Sequence, residues 1–179
     1  SGNFEINNGS RIVIAPSSEA ELIESMNVFA EDYKDVVGRE IEVVVSDSPK
    51  NGDFYFELNN KRPELRTEGY YMEIGDFVKV ESNEAEAAFL STRTILQILK
   101  QNGTTIPQGI TRDYPLSDVR GFMLDVGRKP ITLDFLYDTV KLMSWYKMND
   151  FQVHLNDNYI FLEDYSKNGE DPMDAYAVF

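Results

Sequence analysis

The chain contains no cysteine among its 179 residues. Disulfide bonds, thiolate nucleophiles and cysteine-ligated metal sites are therefore all excluded. The absence is compatible with the cytoplasm and with bacterial export, and it does not decide between them. The sequence also lacks an apolar run of about 18 residues, so it predicts no membrane-spanning helix. Its first residues, SGNFEINNGS, have neither the basic nor the apolar region of a signal peptide.

Basic residues are scarce relative to acidic ones. The chain has 17 Lys and Arg against 31 Asp and Glu, a net charge of −14, and it contains no block of basic residues. This balance argues against nucleic acid and against an anionic membrane surface as partners, and it suits a neutral ligand. Hydrophobic residues make up 42% of the sequence and aromatic residues 12%, which is enough for a packed core.

Residues 1–117 have the pattern of a small α+β domain with a mixed sheet and two helices. Ser18 and Glu21 predict a capping box at the start of the first helix, and Gly38 predicts its end. The second helix is predicted from Asn83 to a stop at Gly103. The predicted strands are 11–15, 41–45, 54–58, 70–74 and 77–80, separated by Gly, Pro and Asn turn signals. Residues 106–115 are predicted to be an extended connector.

Residues 118–179 have a different pattern, which predicts the first β-α-β unit of a truncated (β/α)8 barrel. Residues 122–126 form a nearly continuous apolar run, as in a parallel strand covered on both faces. Thr132 is predicted to cap a helix, with Leu133, Leu136, Val140 and Met143 along its buried face. Residues 151–155 follow as the second strand, at a spacing typical of a parallel β-α-β unit.

Charged residues follow both predicted strands. Arg128 comes after the first strand and Asp157 after the second, at the barrel end where catalytic residues collect. Spacing alone leaves open whether they form a site or an ordinary ion pair. His154, the only histidine, is three residues before Asp157, but strand alternation places the two side chains on opposite faces. A buried structural histidine is therefore favoured over a metal ligand, and no metal site is predicted.

Two segments, RGFMLDVGRKP and WYKMNDFQVHLNDN, closely resemble the opening of the catalytic barrel in family 20 glycoside hydrolases. This family contains β-N-acetylhexosaminidases and lacto-N-biosidases, and its pattern is roughly RG-x-MLD-x-[AS]-RH followed by YK-x-N-x-FH-x-HL-x-DD. The matched positions are Arg120, Gly121, Met123, Leu124, Asp125, Arg128, Lys147, Asn149, Phe151, His154, Leu155 and Asp157. Residues 1–117 resemble the non-catalytic N-terminal domain of the same family.

The resemblance implies retaining hydrolysis in which the substrate's own acetamido oxygen attacks the anomeric carbon. It implies that Arg128 binds hydroxyls of the terminal sugar, that Asp157 belongs to a relay to the catalytic acid, and that His154 has a supporting role. The ligand would be a glycan with a terminal N-acetylhexosamine, and no cofactor is expected. The adjacent Asp-Glu pair that completes this chemistry is absent, since no Asp-Glu dipeptide occurs in the sequence. The chain alone is therefore predicted to be inactive.

The sequence departs from the family pattern at a few positions. Lys129 and Gln152 replace histidines, Pro130 follows Lys129, and Asn158 replaces the second Asp of the last motif. These departures blur the subfamily assignment, and the segment HLNDNYIFLEDY leans slightly toward lacto-N-biosidase-like relatives. The alternative to a hydrolase fragment is a free-standing glycan-binding or scaffolding module without catalysis. Because a truncated barrel exposes apolar surface, the chain is expected either to repack residues 118–179 on the N-terminal domain or to self-associate. The full enzyme is expected to be exported by a bacterium.

Overall fold

A computed structural model describes residues 2–127 and 131–155 of the chain. The chain forms two compact units, Ser1–Asp118 and Val119–Phe179. In the first unit the helices are α1 (Glu19–Val37) and α2 (Ala85–Asn102). Its strands are β1 (Asn3–Glu5), β2 (Arg11–Ile14), β3 (Glu42–Val45), β4 (Phe54–Leu58), β5 (Tyr70–Ile74), β6 (Val78–Ser82), β7 (Thr105–Pro107) and β8 (Gly109–Asp113). The second unit contains β9 (Gly121–Asp125), α3 (Leu133–Trp145) and β10 (Asp150–His154).

The first unit is built on a six-stranded mixed sheet in the order β3-β2-β4-β6-β5-β8. Strands β3, β2, β4 and β6 run parallel, and β5 and β8 add antiparallel pairs. Strand β1 pairs with β7 in a separate antiparallel ribbon. The predicted α+β arrangement, a mixed sheet with two helices, is therefore confirmed.

Helices α1 and α2 contact each other and the sheet. Phe29 on α1 packs edge-on against Phe54 and Phe56 of β4, with ring centroids 5.8 and 5.9 Å apart. The two helices are also joined by a buried ion pair, in which Arg93 donates to Asp32 over 2.6 Å. Aromatic rings in edge contact stabilise a core beyond the area that they bury.

The start of α1 differs from the prediction. Ser18 precedes the helix, but its hydroxyl makes no capping bond. Instead its Oγ accepts a hydrogen bond from the backbone N–H of Leu58 over 2.9 Å, at the end of β4. The predicted capping box is therefore wrong, because the sheet rather than the helix takes the serine hydroxyl. The predicted stop at Gly38 is confirmed, since this residue has a left-handed φ of 81° and donates to the carbonyl of Lys34.

Residues 106–115 contain two strands rather than an extended connector. Strand β7 pairs with β1, and β8 forms the edge of the large sheet beside β5. The end of β8 is held by Tyr70, whose hydroxyl donates to Asp113 over 2.8 Å and lies 2.6 Å from the hydroxyl oxygen of Thr94. Burial raises the pKa of Tyr70. The connector prediction failed because both pairing partners lie far away in the sequence.

In the second unit, β9 and β10 are parallel neighbours with α3 between them in sequence. Thr132 caps α3 as predicted, with its side chain accepting from the N–H of Phe135 over 3.3 Å. The predicted buried face of α3 is only partly correct. Met143 is buried and Leu136 is half-buried, whereas Leu133 and Val140 are exposed. Among the described residues, no helix is long and apolar enough to cross a membrane.

Candidate active site

The candidate site lies at the carboxyl end of the β9–β10 pair. Register places Gly121 beside Asp150 and Asp125 beside His154, so both strands end at the same edge. Carboxyl ends of parallel strands are where α/β folds place their chemistry. The chain that leaves β9 and the chain that leaves β10 therefore start side by side.

The two faces of this small sheet differ in character. Phe122 and Leu124 of β9 line an apolar cavity of about 230 Å³ together with Phe135 and Met143 of α3. Because strand side chains alternate, Asp125 lies on the face opposite to this helix-facing one. Parallel register places His154 on the same face as Asp125. The helix side is thus an apolar packing surface, and the polar pair marks the other side.

The turn after β9 is held by hydrogen bonds to both strands. The backbone N–H groups of Val126 and Gly127 donate to the carbonyl oxygen of His154 over 3.0 and 3.2 Å. The N–H of Gly127 also donates to Oδ1 of Asp125 over 3.0 Å. The first two residues after β9 are therefore tied to β10 and to the last side chain of β9.

The amino end of the pair is held by a different set of contacts. The N–H of Arg120 donates to Oδ1 of Asn149 over 2.9 Å, and the N–H of Asn149 donates to the carbonyl of Arg120 over 3.1 Å. The guanidinium Nε of Arg120 donates to the carbonyl of Lys147 over 2.7 Å. Lys147 has a left-handed φ of 57°, and this turn brings the chain from α3 into β10.

The predicted site residues have different outcomes. Arg128 and Asp157 lie outside the described residues, and their roles stay predictions. His154 is described as the last residue of β10 and is half-buried, so the expectation of a buried histidine is wrong. Asp125 received no role from the sequence, although its register position beside His154 follows from pairing the two motifs.

Within residues 2–127 and 131–155, no group of three or more His, Asp or Glu side chains is arranged to hold a metal ion. This part of the chain therefore contains no metal-binding cluster that includes His154.

Two family models cover nearly the whole chain. Residues 1–114 match "Glycosyl hydrolase family 20, domain 2", and residues 118–165 match "Glycosyl hydrolase family 20, catalytic domain". The chain belongs to glycosyl hydrolase family 20. The resemblance seen in the sequence is thereby confirmed. The second match covers both predicted strand-end residues, Arg128 and Asp157, as well as the β9–β10 pair.

Curated relatives of this family 20 chain are bacterial enzymes. The chain is 31% identical over 132 residues to N,N'-diacetylchitobiase of Vibrio harveyi, an alignment covering 72% of this chain and 14% of the relative. It is 24% identical over 166 residues to a β-hexosaminidase of Porphyromonas gingivalis, covering 87% of this chain and 21% of the relative. The chain therefore spans about a fifth or less of these relatives.

Solved structures share the fold at lower identity. The β-N-acetylhexosaminidase of Streptomyces coelicolor A3(2) superposes with a TM-score of 0.75 at 21% identity, over 88% of this chain and 32% of that structure. The exo β-N-acetylglucosaminidase of Vibrio harveyi, solved in complex with N-acetylglucosamine, gives a TM-score of 0.70 at 22% identity, over 88% of this chain and 24% of that structure. These likenesses fit an N-terminal domain followed by the start of a barrel.

Proposed function

We propose that this chain is the N-terminal part of a glycoside hydrolase that removes terminal β-linked N-acetylhexosamine. The observation that carries the proposal is the parallel β9–β10 pair inside the segment matched by the catalytic-domain model. Its carboxyl end leads directly into Arg128 and, three residues after His154, into Asp157. The names of the relatives, a chitobiase and a β-hexosaminidase, support the same class of substrate.

The β9–β10 pair would form the first two strands of a (β/α)8 barrel, of which most lies outside this chain. In the closed barrel, the face that carries Asp125 and His154 would line the interior. A complete barrel needs about 250 residues. The truncated barrel in the 179-residue chain is therefore proposed to be inactive by itself.

The proposed mechanism is retaining hydrolysis assisted by the substrate. The acetamido oxygen of the terminal sugar attacks the anomeric carbon, so the enzyme needs no nucleophile of its own. A glutamic acid outside this chain would donate a proton to the leaving oxygen, and a neighbouring aspartate would orient the acetamido group. From this chain, Arg128 would donate hydrogen bonds to sugar hydroxyls, and a planar guanidinium suits two adjacent oxygens. Asp157 would accept within the relay that tunes the acid, with His154 supporting that region.

The full enzyme that contains this chain tests the proposal. It is assayed with the p-nitrophenyl glycosides of β-N-acetylglucosamine, β-N-acetylgalactosamine and lacto-N-biose, which separates a hexosaminidase from a biosidase. Arg128→Ala is expected to lower kcat/KM by roughly 100-fold, because it removes bonds made to the sugar in the transition state. Arg112→Ala, at an exposed position on β8, is the matched control and is expected to leave kcat/KM unchanged.

A wild-type enzyme that cleaves none of the three glycosides would refute the proposed activity. The isolated 179-residue chain is expected to show no hydrolysis in the same assay. If it instead bound N-acetylglucosamine oligomers tightly while the full enzyme cleaved nothing, a free-standing glycan-binding module would be the better description. Export of the full enzyme by a bacterium stays a prediction.

A further inference from the structure

Three hydrogen bonds from the backbone N–H groups of Val126 and Gly127 hold the turn that follows β9. Gly127 donates its single N–H to two acceptors, the carbonyl oxygen of His154 at 3.2 Å and Oδ1 of Asp125 at 3.0 Å. Val126, which is buried, donates to the same His154 carbonyl at 3.0 Å. The backbone at Val126 and Gly127 is thus held both by β10 and by the carboxylate of Asp125.

The bond from Asp125 to Gly127 spans two residues, as in the turns by which Asp and Asn side chains set the direction of a chain. It therefore determines the course that the backbone takes at Gly127. The next residue in the sequence is Arg128, to which the proposed function assigns the hydroxyls of the terminal sugar. A displacement of about 1 Å at a group that holds substrate can reduce the rate by a factor of roughly 100.

We propose that Asp125 is a positioning residue of this active site, which holds the turn at Gly127 and so directs the chain into the sugar-binding arginine. The inference rests on the proposed function. The hydrogen bond to Gly127 requires an oxygen acceptor at the Oδ1 position and does not require a negative charge. Asparagine carries the same acceptor with the same geometry, whereas alanine has none. Asp125→Asn should therefore keep the hydrogen bond from the Gly127 N–H, whereas Asp125→Ala should remove it.

The test uses the full enzyme and the glycoside that its wild-type form cleaves best. Asp125→Ala is expected to lower kcat/KM at least tenfold, and Asp125→Asn is expected to stay within threefold of wild type. If Asp125 acts through Arg128, then Asp125→Ala should change kcat/KM less than twofold in an enzyme that already carries Arg128→Ala. Such non-additivity distinguishes a positioning role from general damage to the fold.

Asp150→Ala is the matched control. It removes an exposed carboxylate at the opposite end of the same strand pair, and it is expected to leave kcat/KM unchanged. Far-ultraviolet circular dichroism of the full enzyme monitors the folding of each variant. If Asp125→Ala does not fold, the asparagine variant decides alone, since a loss of more than tenfold in Asp125→Asn contradicts the proposed role.

The possible results distinguish the positioning role of Asp125 from the proposed hydrolase function. Additive effects of Asp125→Ala and Arg128→Ala in an active enzyme would overturn the positioning role and leave the proposed function intact. Equal losses in the alanine and asparagine variants would also overturn it, because the charge would then matter more than the acceptor. A wild-type enzyme that cleaves none of the three glycosides would overturn the function and this inference together.

Discussion

Asp53 is a buried residue of the first unit whose replacement should destabilise the fold strongly. Its side chain is fully buried and accepts four hydrogen bonds. The backbone N–H groups of Arg11 and Lys50 donate to it over 3.0 and 2.8 Å, and the Arg11 guanidinium donates to both carboxylate oxygens. One carboxylate therefore joins the start of β2 to the loop that precedes β4.

Replacing Asp53 by Asn keeps the shape and removes both the charge and one acceptor. At the Oδ2 position the new amide NH2 would face the Lys50 N–H and Nη2 of Arg11, and at the Oδ1 position it would face the backbone N–H and Nε of Arg11. In both orientations donors repel each other. Breaking a buried ion pair costs about 3–5 kcal/mol. Because the Arg11 side chain remains 19% exposed and regains some hydration, we expect a loss near the lower end, about 3 kcal/mol.

Urea and thermal unfolding followed by far-ultraviolet circular dichroism measure this loss, since α1 and α2 dominate the helical signal. A loss of about 3 kcal/mol corresponds to a decrease in Tm of about 10 °C for a protein of this size. Asp76→Asn changes an exposed carboxylate and is expected to shift Tm by less than about 2 °C. If the two variants unfold at the same temperature, the reasoning from buried hydrogen bonds is refuted.

Three further predictions concern other parts of the chain. Gly69→Ala should destabilise the first unit by about 2 kcal/mol, because an added Cβ would overlap the backbone carbonyl of Leu65; Gly75→Ala, with open space around it, should be close to neutral in the same urea titration. Burial raises the pKa of Glu81, but hydrogen bonds from Lys79 and its other neighbours outweigh that effect and leave the pKa lowered from 4.5. The ionised Glu81 therefore stabilises the fold above that pH, and this stabilisation is lost as the pH falls. Glu81→Gln should lower the free energy of unfolding by about 1 kcal/mol at neutral pH and by progressively less below about pH 4.5. Urea unfolding at several pH values measures this difference. The 179-residue chain should self-associate at micromolar concentration, and light scattering that shows only monomer would contradict this expectation.

Local patterns were sufficient to predict much of the first unit. Strands β4 and β5 were predicted residue for residue, because short runs rich in aromatic and aliphatic residues are bounded by clear turn signals. The end of α1 at Gly38 was also predictable, since glycine accepts a left-handed φ without steric cost. These features depend on neighbours in the sequence, and no knowledge of the tertiary structure is needed to infer them.

Features that depend on distant partners were missed. Ser18 has the sequence context of a helix cap, yet its hydroxyl accepts from Leu58, 40 residues away. Strands β1 and β7 contain three residues each, too few to show a period, and they exist because they pair with each other. Competition between local and tertiary hydrogen bonds cannot be resolved from a short sequence window.

For the candidate site, the sequence predicted residues that follow strands β9 and β10, and the roles of Arg128 and Asp157 stay predictions. Matching the family motif identified His154 and listed Asp125 without a role, because a motif gives positions and does not give hydrogen bonds. The register of β9 and β10 supplies what was missing, since it brings these two residues to the same face at the same edge. That relationship becomes visible only when both strands are paired.

Different hydrogen bonds hold the two ends of the β-α-β unit, and we expect those at one end to contribute to stability and those at the other end to contribute to catalysis. At the amino end, Arg120 and Asn149 exchange hydrogen bonds that join the starts of β9 and β10. At the carboxyl end, Asp125 and the carbonyl of His154 hold a turn that leads out of the sheet. In barrels of this class, contacts at the amino end serve stability and residues at the carboxyl end serve catalysis. A substitution at Asn149 should therefore act through the free energy of unfolding, whereas one at Asp125 should act through kcat/KM in a protein that remains folded.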